Sequence, residues 1–109
     1  MHGKRISRKE TVEQAFLRAR RIGVANMQFN RDPETMRPVS LELARAQRDA
    51  RPIDVDVYPD AVVLADGRHR LQAAIEAGAT HLRARITVYG PRGARLARRE
   101  ETLPIRPAK

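Results

Sequence analysis

Between Ala61 and Tyr89 the hydrophobic pattern changes period twice, and this constrains the fold more than any other feature of the chain. Ala61-Val62-Val63-Leu64-Ala65 is a short apolar run of the kind a buried strand carries. Asp66-Gly67 breaks it. From Arg68 to Ala77 the pattern is helical, with Leu71, Ala74 and Ile75 expected to face inward and Gly78 placed as a left-handed C-cap. Leu82, Ala84, Ile86 and Val88 then alternate with Arg83, Arg85, Thr87 and Tyr89, the signature of a half-buried strand. Strand, glycine turn, helix and strand in that order predict a small α/β (α+β) domain with a mixed sheet. If the two strands pair in parallel, the helix is a right-handed crossover. Its N-terminus then stands at the carboxyl end of a strand, where open α/β sheets bind ligands.

The flanking sequence supplies more elements. Thr11 and Gln14 fit a capping box, and Val12, Ala15, Phe16, Ala19 and Ile22 recur at helical spacing, so a helix is expected from Val12 to Ile22, ending near Gly23. Arg18, Arg20 and Arg21 fall mostly off its apolar face. The stretch from Asn26 to Pro38 holds two prolines and few apolar residues and reads as an irregular connection. Ser40 is a good N-cap for a second helix over Leu41 to Ala50, which Pro52 cannot continue. Ile53, Val55 and Val57 alternate with Asp54, Asp56 and Tyr58, and Pro59-Asp60 is turn chemistry, so this strand and the Ala61–Ala65 run are expected to form a hairpin. Asp54 and Asp56 share a face, read as the solvent side of an edge strand. Gly90-Pro91-Arg92-Gly93 is a turn, and the residues after it are expected to form a short helix or a tail.

Composition narrows the function classes. The chain has 109 residues, a formal net charge of +9 and no cysteine, which excludes disulfide frameworks, thiolate metal sites and cysteine nucleophiles. No apolar run reaches the roughly 18 residues of a membrane span, and no apolar segment follows Met1-His2-Gly3-Lys4-Arg5. The expectation is a cytoplasmic protein, of a cell or of a phage or plasmid expressed there, with no membrane partner. By counting ionisable side chains, residues 1–51 carry about +6, residues 52–89 about −1 and residues 90–109 about +4. The division expected is a basic flexible arm over residues 1–10, a folded domain over 11–89 and a basic extension over 90–109. Lys4, Arg5, Arg8 and Lys9 at one end, and Arg92, Arg95, Arg98 and Arg99 at the other, are candidates for binding DNA, RNA or an acidic protein. The plainer alternative is an arginine-rich solvated surface.

Chemistry concentrates at residues 66–70. Gly67 lets backbone approach a ligand closely. The first helical turn presents N–H groups with partial positive charge, and Arg68, His69 and Arg70 add donors at the same end. A basic first turn opposes the helix dipole unless an anion is present. The turn therefore reads as an oxyanion site for nucleotide phosphates, although neither a Walker A loop nor the G-x-G-x-x-G fingerprint is present. The plainer alternative is a surface Asp66 cap with arginines in solvent. His69 and His81 lie at opposite ends of one helix, so no shared metal is expected.

The run Val63-Leu64-Ala65-Asp66-Gly67-Arg68-His69-Arg70-Leu71-Gln72-Ala73-Ala74-Ile75-Glu76-Ala77-Gly78, with the return through Ala79-Thr80 to Ile86-Thr87-Val88, resembles the ParB/sulfiredoxin superfamily. Weaker similarity extends upstream from Val57 to Pro38, so that about half of the chain is covered. In ParB proteins the equivalent segment contacts the triphosphate of CTP; in sulfiredoxins it binds ATP phosphates and holds the reactive cysteine. By position Gly67 and Arg70 match both groups, and His69 matches the sulfiredoxin histidine. Arg68 departs from both. It stands at the sulfiredoxin cysteine, which rules out sulfinic acid repair, and at a ParB glutamate that helps metal-dependent nucleotide chemistry, which puts CTP hydrolysis in doubt. The DNA-reading and dimerisation domains of a complete partition protein would need more chain.

The resemblance thus implies a stand-alone domain binding a nucleoside triphosphate, CTP or ATP, with or without Mg²⁺, as a switch or a weak NTPase. Gly67, Arg68, His69 and Arg70 would hold the phosphates, with Arg70 as the main clamp. Asp66 and His69 are the candidates for acid–base work. A second reading is non-enzymatic binding of nucleic acid or a partner through the basic ends. A third is a metal-dependent nuclease drawing on Asp54, Asp56, Asp60 and Asp66.

Overall fold

The computed structural model of the chain describes residues 10–29 and 51–107. The helix expected over Leu41–Ala50, most of the 26–38 connection and the basic residues Lys4, Arg5, Arg8 and Lys9 lie outside the described residues. The first described helix, α1, runs from Val12 to Ile22. Its capping box forms as the sequence predicts: the Gln14 N–H donates to Thr11 Oγ1 at 3.1 Å, and the Thr11 N–H donates to Gln14 Oε1 at 2.8 Å. It ends at Gly23, whose φ of 79° suits glycine.

A 3₁₀ turn, Val24–Asn26, leads into a two-residue strand β1, Gln28–Phe29. This strand falls in a stretch whose composition reads as irregular. The hairpin forms as expected: β2 is Ile53–Tyr58 and β3 is Ala61–Asp66, paired antiparallel. The helix α2, Arg68–Glu76, ends in a Schellman arrangement, with the Ala79 N–H donating to the Ala74 carbonyl at 2.9 Å and the Gly78 N–H to the Ile75 carbonyl at 3.0 Å. Strand β4 is His81–Tyr89, and β5 is Arg95–Pro104.

Strand β5 corrects the expectation of a tail or short helix. It pairs antiparallel with β4 along nearly its whole length, so the sheet continues well past Tyr89. The described sheet has the order β1-β3-β2-β4-β5 and is mixed. Strand β2 is therefore central, not an edge. It is antiparallel to β3 on one side and parallel to β4 on the other. With five strands and two α-helices among the described residues, the architecture is of the α+β kind.

One face of the sheet carries the core. Ile53, Val55 and Val57 of β2 sit in register with Ala84, Ile86 and Val88 of β4, and Val62 and Leu64 of β3 complete the row. Ala15, Phe16 and Ala19 of α1 and Leu71 and Ala74 of α2 pack on the same face. Burying the Val, Leu, Ile and Phe side chains among them contributes roughly 1.5–3 kcal/mol each. The other face is polar. Arg85 Nε donates to Asp54 Oδ1 at 2.9 Å, Arg98 Nε donates to Thr87 Oγ1 at 3.0 Å, and the Tyr58 and Tyr89 rings stack with centroids 5.0 Å apart.

Candidate functional site

The turn from β3 into α2 is placed differently from the crossover expectation. Strands β3 and β4 are not neighbours, because β2 lies between them, and β3 runs against β2. Gly67 follows the carboxyl end of β3, but that end of the sheet holds the amino ends of the parallel pair β2 and β4. Among the described residues the parallel strands that end here are only β3 and the two-residue β1, which carry no parallel crossover to β4, so the crevice rule for open parallel sheets is a weak guide. The site has to be built from local geometry.

Locally the turn is tightly built. Gly67 has φ 113°, a left-handed conformation. A Cβ at this position would lie 2.4 Å from Ile53 Cγ2 and 3.2 Å from Arg70 Nη2, so the turn is pressed against the first residue of β2 and against the arginine side chain. Among the described residues no side chain caps α2, and its first turn contains no acid. The first intrahelical bond runs from the Leu71 N–H to the Gly67 carbonyl at 2.8 Å, leaving the N–H groups of Arg68, His69 and Arg70 without intrahelical acceptors.

Arg70 does not project into solvent. It is 5% exposed, folded back so that Nη2 donates to Asp66 Oδ2 at 3.0 Å. Its Nη1 is buried and, among the described residues, has no hydrogen-bond partner. Buried guanidinium nitrogens are ordinarily satisfied, so this atom calls for an explanation such as an absent ion or ligand. Asp66 is exposed, and its position fixes the guanidinium. His69 is half-buried on the first turn. Arg68 places its guanidinium 4.5 Å from the centroid of the Phe29 ring. Phe29 enters the site through the pairing of β1 with β3, opposite Leu64. Nothing in the sequence marks it, because β1 is only two residues long and its partner strand lies far along the chain.

The other sequence-derived candidates do not gather here. Arg92 and Arg95 are exposed on or beside the β4–β5 turn. Arg98 and Arg99, adjacent in β5, point to opposite faces. Arg98 lies on the polar face with Thr87, while Arg99 lies under α1, its guanidinium 3.9 Å from the Phe16 centroid and paired with Glu13 and Glu101. These four arginines thus do not form one patch. Ile75, expected to face inward, is 37% exposed; Arg70 and Ala73 occupy buried positions of α2 instead. An apolar groove of about 470 Å³ opens between Ile75, Ala79, His81 and Ile105, at the far end of α2 from Gly67. Among the described residues no three His, Asp or Glu side chains converge as a metal site, and no helix is long and apolar enough to cross a membrane.

Comparison of the chain with models of known protein families, with curated proteins and with solved structures finds no match.

Proposed function

We propose that this domain binds a nucleoside triphosphate, of the CTP or ATP kind, with its phosphates on the Gly67–Arg70 turn, and that its fold is of the ParB/sulfiredoxin type. The observation that carries the reading is the buried Nη1 of Arg70, which among the described residues has no hydrogen-bond partner, beside a helix N-terminus that no described side chain caps. Asp66 keeps Nη2 while the arginine side chain turns Nη1, buried here, toward a phosphate oxygen, so that ligand binding completes the arginine's bonding. The N–H groups of His69 and Arg70 supply further donors, and an anion there relieves the clash between a basic first turn and the helix dipole. Asp66 is the carboxylate that would help hold a Mg²⁺ accompanying the phosphates, and the ion would offset their charge. Asp66 and His69 remain the candidates for acid–base work, so turnover as a weak NTPase is a second step to measure after binding.

The test is calorimetric titration with ATP, CTP and GTP, with and without Mg²⁺, of the wild type and of Arg70→Met, with thermal melts to establish that the variant is folded. Saturable binding in the wild type that is lost in the folded variant supports the reading. A folded wild type that binds none of the nucleotides overturns it.

A further inference from the structure

Phe29 stands beside the phosphate turn with more of its ring in solvent than its chemistry explains. It is 39% exposed, one of three large exposed hydrophobic residues among the described ones, and the only aromatic of the three. Its backbone is fixed by the ladder to Leu64, two residues before Asp66. Arg68 covers one face of the ring. The guanidinium and the exposed surface of Phe29 thus meet at one ring. Arg68 also spans the interval between ring and turn: its backbone N–H belongs to the first turn of α2, while its guanidinium lies over Phe29. The uncapped turn and a partly exposed aromatic ring are therefore linked by one arginine side chain. A ribose separates a base from its phosphates in the same way.

We propose that Phe29 is the shelf on which the base of the bound nucleotide stacks. The inference rests on the phosphate reading above and deepens it: the ligand is a nucleotide, recognised at both ends, rather than any polyphosphate. Base–aromatic stacking is sequence-tolerant, because every base has a π-face. Phe29 thus supplies affinity for a nucleobase as such, and discrimination among bases has to come from contacts to the base edges. Arg68 holds the ring from behind, so that its orientation is set before the ligand arrives.

Inorganic tripolyphosphate separates the two ends of the site. Binding of ATP, CTP and tripolyphosphate is measured by calorimetry for the wild type, Phe29→Leu and Phe29→Trp, with thermal melts to check folding. The wild type is expected to bind the nucleotides at least about fivefold more tightly than tripolyphosphate, the low end of what stacking contributes. Phe29→Leu is expected to bring nucleotide affinity down to that of tripolyphosphate while leaving tripolyphosphate itself unchanged, and Phe29→Trp to restore the difference. A fluorescent 2-aminopurine triphosphate is expected to be quenched on binding to the wild type and not to Phe29→Leu. Equal affinity of the wild type for nucleotides and tripolyphosphate, or a Phe29→Leu variant that keeps full nucleotide preference, overturns the shelf and leaves the phosphate site standing. Binding of neither ligand class overturns the phosphate reading and the shelf with it.

Discussion

Arg70 and Asp66 are joined by one hydrogen bond of 3.0 Å across the start of α2, with the arginine side chain 6% exposed and the aspartate side chain 56% exposed. The pair is asymmetric: the aspartate could be satisfied by water, and the arginine could not. Removing the aspartate leaves Nη2 buried without its acceptor, in addition to Nη1, whereas removing the arginine leaves an exposed carboxylate that water can satisfy. Asp66→Ala is therefore expected to destabilise the fold by about 1–3 kcal/mol. Arg70→Met, which keeps most of the buried stem and deletes the charge, is expected to cost less. Urea denaturation of both variants measures the difference, and an Arg70→Met variant less stable than Asp66→Ala reverses the assignment of which group depends on which.

Gly67 makes a second prediction through its fit against Ile53. Gly78 also has a positive φ, 79°, but a Cβ there meets nothing within 4 Å, while at Gly67 it meets Ile53 Cγ2 at 2.4 Å and Ile53 Cβ at 2.8 Å. Gly78→Ala incurs only left-handed backbone strain, about 1–2 kcal/mol. Gly67→Ala adds overpacking against the core, typically about 1–3 kcal/mol more. Thermal or urea melts of the two variants rank them, and equal losses would mean that the turn can move away from β2.

The contrast between these two glycines shows how far the fold is legible in the sequence. Both break apolar patterns, so both are visible as punctuation, and α1, β2, β3, α2 and β4 come out of periodicity and capping chemistry. Which glycine is pressed against a strand depends on the sheet order, and that is a long-range fact. Strand β5 escapes a sequence reading for a related reason. Its inward positions are Ala97, Arg99, Glu101 and Leu103, so the core-facing row contains two charges and no alternation shows. Those charges are tolerated because α1 supplies Glu13, Arg20 and the Phe16 ring to meet them. The site divides likewise. The basic turn at 67–70 is readable in the sequence, whereas the inward turn of Arg70 and the arrival of Phe29 are set by packing and pairing from elsewhere in the chain.

Arg99 is the tie between β5 and α1. It stacks on Phe16 and pairs with Glu13 and Glu101, and the Glu13 carboxyl is held below its ordinary value chiefly by its hydrogen bond to Arg99. A depressed carboxylate contributes stability above its unfolded value, near about 4.3, and that contribution is lost as pH falls through the folded value. Arg99→Ala is expected to lower Tm at neutral pH and to flatten the acid limb of the stability curve. Raising the salt concentration should shrink the neutral-pH gap only in part, because the Phe16 stack is not an ion pair. A gap that salt abolishes would assign the whole effect to exposed charge pairing.

Asp56 titrates in the opposite sense. It lies on the polar face of the central strand, where burial raises its carboxyl above the ordinary 3.8, offset in part by the hydrogen bond from Tyr58 and by the charge of Arg98. The folded state then holds the proton more tightly than the unfolded state. Its contribution to stability falls as pH rises from the unfolded value through the folded one, and it stays low above that. Asp56→Asn keeps an oxygen for the Tyr58 hydroxyl and removes the buried charge. The variant is therefore expected to have the higher Tm at pH 7, with the advantage shrinking as the solution is acidified past the unfolded carboxylate value of about 3.9. Thermal melts of the two proteins across the acid-to-neutral range give the difference curve directly. A variant less stable than the wild type at pH 7 would show that the attraction of Arg98 for the Asp56 charge outweighs the cost of burying it.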